Sequence, residues 1–338
     1  MRKNPKSLRV HFGGKRGAAI RQNYTALTYE LVSKAGIKKT KPLLDIDSSS
    51  FSYTHCHPNG LLFSTAFAQP AITVMEKASF EDLASRGLIS NKDRYAGHSL
   101  GEYAALCAIG NIMPLEQFLS VVFYRGLSMQ VAVDRDERGR SEFGMLAVDP
   151  SRVIKSFDIN KLERIVRTIA KTTNSLLEVV NYNVQDKQYV CAGTLRNLQT
   201  LTLICNDLAT SVVTTSSLDH VISNHIASLS ERDSKSIKLN RGKATIPLDG
   251  IDVPFHSSFL RPNLSAFRKV LEQHIRKDWI DPEKLIDRYV PNVTAKVFST
   301  SKESFEYAYS VTKSEKLKYV LDKWEEDDLR TDKALGSS

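Results

Sequence analysis

The sequence predicts an α/β protein with a small α+β subdomain inserted into it. Three observations carry this. A glycine-flanked serine pentapeptide, Gly97-His98-Ser99-Leu100-Gly101, stands between a short strand candidate and an alanine-rich helix. From Gly144 to about residue 209 the apolar pattern alternates strand, helix, strand, strand, helix. The chain has 338 residues, 41% of them hydrophobic and 25% charged, which suits one large domain with an inserted subdomain.

The elements follow in order. Residues 1–60 read as a strand from Leu8 to Phe12, a glycine turn, a helix and a polar loop. Phe12-Gly13-Gly14-Lys15-Arg16-Gly17 lacks the spacing of a phosphate loop and reads as a basic turn before that helix. His55-Cys56-His57 has no second cluster at ligand spacing, so it reads as polar loop and no metal is expected. Residues 66–87 are helical by the spacing of Ala71, Met75, Ala78 and Leu83. Arg94-Tyr95-Ala96 is a short strand, and Ala104 to Ala108 continue a helix that Gly110 ends. Residues 114–133 form a helix with Pro114 in its first turn, and 134–141 a charged loop.

The β-α-β-β-α run resembles a small ferredoxin-like unit. It has strands at Gly144–Val148, Leu176–Val180 and Tyr189–Ala192, and helices over 150–172 and 195–209, with a polar turn at 181–188. Residues 211–240 are a helical or loose insertion. Ala244 to Val253 returns as strand, a helix spans 258–276, and Tyr289 to Asn292 is a last strand-like piece. The domains expected are 1–142, the first part of the core with the serine; 143–250, the insert, with its extra segment near 211–240; 251–325, the second part of the core; and 326–338, a polar tail.

Composition narrows the function classes. The net charge of +9 is spread along the chain without a nucleic-acid motif, so anionic small ligands or an acidic protein fit better than nucleic acid. No apolar run approaches the roughly 20 residues of a membrane span, and no secretory leader is expected. Four scattered cysteines point to a reducing, cytoplasmic setting.

The pentapeptide has the G-x-S-x-G form, whose mechanics need a strand–turn–helix setting. Ser99 then lies at a helix N-terminus, where the Leu100 N–H can face a developing oxyanion. A serine nucleophile needs a base. Of eight histidines, His256 is the best candidate, because it follows an apolar run where a strand gives way to a polar turn. Arg125 stands in the helix row of Phe118, Val122 and Met129. A buried arginine needs an anionic partner, either a structural carboxylate or the carboxylate of a ligand.

Taken together, Gly97 to Tyr103, Phe123-Tyr124-Arg125-Gly126, Val253-Pro254-Phe255-His256-Ser257, and Asn181-Tyr182-Asn183 with Gln188 to Gly193 resemble, in order, the motifs of malonyl-CoA:acyl-carrier-protein transacylases. His11 to Gly17, Gln69-Pro70-Ala71, Met129 to Val133 and Tyr289 to Lys296 are similar to the malonyl/palmitoyl transferase domain of the fungal fatty acid synthase beta subunit, over roughly 8–325. The resemblance implies an α/β-hydrolase-like core with a parallel sheet and a ferredoxin-like insert. It implies that Ser99 is acylated, that His256 is general base and acid, that the Leu100 N–H is half of the oxyanion hole, and that Arg125 holds the malonyl carboxylate. Asn183 and His98 would contribute to substrate binding.

The substrates so implied are CoA thioesters and phosphopantetheine-bound acyl carrier protein, with no bound cofactor. The implied partners are that carrier and the remaining beta-subunit and alpha-subunit domains of a synthase. The resemblance lacks the family's Gly-Gln-Gly-Ser-Gln turn and late Gly-Pro-Gly motif, so a piece of a longer synthase subunit is expected. Two alternatives stay open: a catalytically incomplete structural fragment of such a subunit, and a serine esterase or thioesterase, for which Asp249 and Asp252 are acids preceding His256.

Overall fold

The computed structural model describes residues 5–32, 38–42, 44–109, 113–210, 218–229, 233–276 and 281–324. In chain order its elements are β1 (Ser7–His11), α1 (Gly14–Ala26), β2 (Thr28–Val32), β3 (Lys38–Pro42), β4 (Ser52–Cys56), α2 (Thr65–Ser85), α3 (Leu100–Ile109) and α4 (Leu115–Gln130). There follow β5 (Phe143–Val148), α5 (Ile159–Thr173), β6 (Leu177–Val184), β7 (Gln188–Thr194), α6 (Leu195–Thr210), α7 (Leu218–Leu229), β8 (Thr245–Pro247), α8 (Leu264–His274), α9 (Lys302–Thr312) and α10 (Glu315–Asp322). Gly110 and the tail expected at 326–338 lie outside the described residues, as do parts of the segment at 211–240.

The chain divides into two units. One joins residues 1–68 to 125–269, the other 69–124 to 270–338. The first holds a four-stranded antiparallel sheet in the order β6-β7-β5-β8. Its strands alternate faces. Leu146, Val148, Tyr189 and Cys191 point into the main core, while Met145, Val190 and Ala192 pack on the other side with Leu248, Ile251 and Phe255. The helix α5 brings Leu162, Ile165, Val166 and Ile169 to the main core at 3.6-residue spacing. Asp158 starts this helix by accepting from the Lys161 N–H at 3.0 Å, and Asn174 ends it in the left-handed region. Leu198, Leu201, Ile204 and Leu208 of α6 complete the layer.

Several expectations are corrected. The helix read over 150–172 is two pieces, because Asp149 and Asp158 each cap a start of their own. Residues 181–184, read as a turn, belong to β6. This is an edge strand, so its polar outward residues cost little, and two register shifts keep it paired to β7. The strand read over 244–253 shrinks to β8, ending at Pro247, which has no N–H to continue a ladder. The helix read over 258–276 opens with a 3-10 segment containing Pro262 before α8 begins. The polar loop read before residue 60 contains β2, β3 and β4, the last pairing antiparallel with β1. Strand alternation in β4 and just after it turns His55 and His57 inward and Cys56 outward, so that tripeptide is not a solvated loop.

The second unit is mostly helical. The stripe that predicts helix over 66–87 is present as helix, but Met75 and Leu83 lie exposed while Gln69 and Thr73 are buried. Periodicity makes the helix; what packs beside it chooses the face. A small core joins Ala105 and Ile109 of α3 to Leu285 and Tyr289. Among the described residues every strand pair is antiparallel, and parallel pairing is reduced to an isolated bridge between Tyr95 and Tyr289. Its flanking bonds run from the Tyr95 N–H to the Arg288 carbonyl at 2.7 Å and from the Val290 N–H to the Tyr95 carbonyl at 2.9 Å. The expected parallel core sheet is not developed beyond that, because these strand-like pieces turn away within a few residues of the bridge.

Candidate active site

The serine pentapeptide lies between the Tyr95 bridge and the start of α3. The chain passes the Tyr95 bridge, turns, and enters α3 at Leu100. Ser99 has a φ of 55°, a left-handed conformation that a residue with a Cβ adopts only when its surroundings hold it there. Gly97 is required for a different reason. A Cβ on it would come within 2.6 Å of the Glu102 nitrogen, inside the first turn of the helix. The Gly101 N–H donates to the His98 carbonyl at 2.9 Å, closing the turn. Leu100 is the first residue of α3, and first-turn N–H groups have no acceptor within their own helix.

A second segment holds this turn. The Asn292 side-chain amide donates to the Gly97 carbonyl, and its Oδ1 accepts from the Ser99 N–H at 3.4 Å. The Asn292 backbone N–H donates to Glu102 Oε1 at 2.8 Å, and the Tyr289 hydroxyl donates to the same oxygen at 2.5 Å. Burial and the neighbouring Glu102 carboxylate push the Tyr289 phenol above its ordinary range, so it stays a proton donor. Sequence reasoning missed Asn292, Glu102 and Tyr289 as site residues. The available signal was the polar Asn292 closing an otherwise apolar strand-like piece.

The other candidates lie in the first unit. Arg125 is 8% exposed on α4, between Phe118 at 1% and Val122 at 0% in its row and the half-buried Met129. Its carbonyl accepts from Ser128 Oγ at 2.8 Å. The next residue, Gly126, lets α4 pass close to the start of α2, since a Cβ there would meet Ala66 Cα at 2.8 Å. His256 is exposed at a φ of 63°. Asn183 is exposed in β6, at one of its two register shifts. His98 is exposed, beside Ser99. The structure therefore groups Ser99, His98 and Leu100 in one unit, and Arg125, Asn183 and His256 in the other.

Asp252, a possible acid before His256, is engaged elsewhere. Both its oxygens accept from the Arg135 guanidinium, one at 2.9 Å, and His57 Nε2 lies 3.1 Å from Oδ2. His57 Nδ1 accepts from the Asn59 N–H at 3.2 Å, which assigns the ring proton to Nε2. Among the described residues no group of three or more His, Cys, Asp or Glu side chains is placed to hold a metal ion.

Residues 15–316, which include the serine turn, Arg125, Asn183 and His256, match the sequence profile of the acyl transferase domain. The chain belongs to the acyl transferase domain family. This acyl transferase domain is 48% identical over 329 residues to the fatty acid synthase beta subunit TOXC of Cochliobolus carbonum. It is 44% identical to the fatty acid synthase subunit beta of Saccharomyces cerevisiae and 46% identical to that of Schizosaccharomyces pombe. These alignments cover 95–96% of the acyl transferase domain chain but only 16% of each relative, so the chain spans about a sixth of their length. The crystal structure of FabD from Acinetobacter baumannii aligns with a TM-score of 0.47 and 25% identity, covering 74% of this chain and 62% of that one. Among the described residues no helix is long and apolar enough to cross a membrane.

Proposed function

We propose that this acyl transferase domain moves malonyl groups, and also palmitoyl groups, between CoA and acyl carrier protein through an ester on Ser99, in fatty acid biosynthesis. The observation that carries the reading is the left-handed Ser99 at the start of α3, directly after the Tyr95 bridge. That setting gives a half-buried serine at a sharp turn with first-turn N–H groups beside it.

Ser99 Oγ attacks the thioester carbonyl while His256 takes its proton. The Leu100 N–H stabilises the oxyanion. His256 then gives that proton to the departing CoA thiolate, which leaves as the free thiol, and the acyl-serine remains. The phosphopantetheine thiol of the carrier attacks in turn, with the proton steps reversed. Arg125 grips the free malonyl carboxylate through two parallel bonds. A neutral acetyl group would leave that charge unmatched, which makes Arg125 the source of selectivity. A palmitoyl chain also lacks the carboxylate, so its transfer requires Arg125 to swing aside. Asn183 and His98 help hold the substrate. The remaining domains of a synthase beta subunit and its alpha subunit are the assembly partners.

For the whole domain we infer an α/β-hydrolase-like core with a ferredoxin-like insert near 143–250. The sheet order β6-β7-β5-β8, with α5 and α6 as crossovers, supports the insert, and the parallel Tyr95–Tyr289 bridge supports the core. An esterase triad through Asp252 is disfavoured by the Arg135 and His57 bonds that occupy it.

The test is intact-mass measurement after incubation with malonyl-CoA. A malonyl adduct that is absent in Ser99→Ala is expected. In Arg125→Ala malonyl loading is expected to fall while loading of acetyl groups persists. An adduct that survives Ser99→Ala, or unchanged selectivity in Arg125→Ala, would overturn the reading.

A further inference from the structure

His256 holds a left-handed backbone, φ 63°, on an exposed loop, and such a conformation persists only where the surrounding structure over-determines it. The loop is tied on both sides. Upstream, Asp252 is gripped by both prongs of the Arg135 guanidinium and by His57 Nε2 at 3.1 Å. Arg135 is itself fixed by donating to the Gly139 carbonyl at 3.2 Å, and His57 stacks on Phe63 at 6.0 Å between ring centres. Between Asp252 and His256, Val253 is 1% exposed, and Phe255 packs beneath the sheet against Met145, Val190 and Ala192.

Downstream, Ser257 is buried. Its hydroxyl donates to the Pro254 carbonyl at 2.6 Å, and its N–H reaches the same oxygen at 3.3 Å. The Ser258 N–H donates to Glu178 Oε2 at 2.9 Å, and its hydroxyl donates to Glu178 Oε1. Glu178 stands on β6, paired to Ala192 of β7. The two ties thus fix four residues before and two residues after His256 to separate parts of one sheet-centred unit.

We propose that Arg135, His57 and Asp252 on one side and Glu178 on the other are positioning residues that set the direction of the His256 imidazole for proton transfer. This rests on the reading of His256 as the general base. A fork-and-carboxylate grip fixes an angle as well as a distance, which a single lysine contact does not. A misplacement of about 1 Å in a proton-transfer geometry costs up to ~100-fold in rate.

The experiment compares the full chain with Glu178→Ala, Glu178→Gln, Arg135→Lys and His256→Ala. The rate of malonyl loading is followed by intact mass across pH and substrate concentration. Hydrogen exchange of the 253–258 amides is followed without substrate. In Glu178→Ala and Arg135→Lys the maximal loading rate is expected to fall about 10- to 100-fold. The substrate concentration giving half that rate should move less than about threefold. Glu178→Gln, which keeps a carbonyl to accept from Ser258, should recover most of the rate. Exchange at Phe255, Ser257 and Ser258 should quicken at least ~10-fold while β7 stays protected.

Unchanged exchange in both weakened variants overturns the proposal whatever the rates. A wild-type rate in them, beside an inactive His256→Ala, overturns it alone. A fully active His256→Ala instead removes the reading of His256 as the base, and the positioning role falls with it.

Discussion

At Ser99 the left-handed turn is tied by one remote segment through neutral and carboxylate hydrogen bonds: Asn292 to Gly97 and Ser99, and Tyr289 and Asn292 to Glu102. At His256 the same backbone conformation is tied by an ion pair, a histidine and a second carboxylate on separate elements. The first turn also leans on a helix start and on a glycine that excludes any side chain. The second has no such glycine and stands two residues before a 3-10 segment that starts at Ser258, and it rests Phe255 under a four-stranded sheet. A left-handed residue costs about 1–2 kcal/mol wherever it stands. What differs is the means of offsetting it. The turn that enters an α-helix directly is held mainly by backbone geometry, whereas the one before the short 3-10 segment is held by charge and packing from several directions.

The comparison breaks most sharply at Asp252. Removing that carboxylate leaves the Arg135 guanidinium, whose side chain is 17% exposed, without its counter-charge. Asp252→Ala is expected to lower stability by about 3 kcal/mol in a denaturant titration. Asn292→Ala should cost about 1–3 kcal/mol, since it strips the Gly97 carbonyl and the Ser99 N–H of a partner, and malonyl loading should fall with it. A stability loss without a loading defect would show that the Ser99 turn keeps its shape unaided. Tyr289→Phe removes one bond to Glu102 and leaves the Asn292 N–H in place, so about 1 kcal/mol is expected.

Acid should distinguish the two sides as well. Burial lowers the His55 pKa from 6.5 to about 4, and its Nε2 lies 3.1 Å from the Tyr24 hydroxyl. The unfolded chain therefore takes up a proton first. The stabilisation is complete above about pH 6.5 and is lost as pH falls toward 4. Its slope is at most about 1.4 kcal/mol per pH unit. His55 stands in β4, which leads directly into His57, so the His256 side is the one expected to soften, and His55→Gln should flatten the thermal-melting profile between those limits.

The smallest effects are the most direct test. Ser99→Gly and His256→Gly both relieve the backbone, at the expense of extra freedom in the unfolded chain. Each should gain a few tenths of a kcal/mol in stability, well below the backbone term of about 1 kcal/mol. Both should lose acyl loading. A destabilised Ser99→Gly would show that the serine side chain itself helps hold the turn.

Much of the fold is legible in the residues. The helix expected over 150–172 is present from Ile159, with Leu162, Ile165 and Ile169 on its buried face, and the strand expected at Tyr189–Ala192 is present as part of β7. The serine turn is legible because Gly97 and Gly101 bracket a residue that must turn sharply before a helix. Arg125 announces itself by standing in an apolar row, and it is buried there. Less legible were residues whose role depends on what lies across from them. His55 and His57 read as loop until β4 paired with β1. Met75 and Leu83 mark a helix but not its buried side.

The sequence by itself determined most of the helices and the inner strands of the four-stranded sheet, the serine turn and the family, because periodicity, capping residues and motif order are local properties carried along the chain. Only the tertiary structure decided that Asn292 and Glu102 hold the Ser99 turn, 193 residues separating Asn292 from Ser99, and that Asp252 belongs to Arg135 and His57. A hydrogen bond or ion pair between distant segments depends on directions that no linear spacing encodes. Packing has to bring the backbones together before such partners exist.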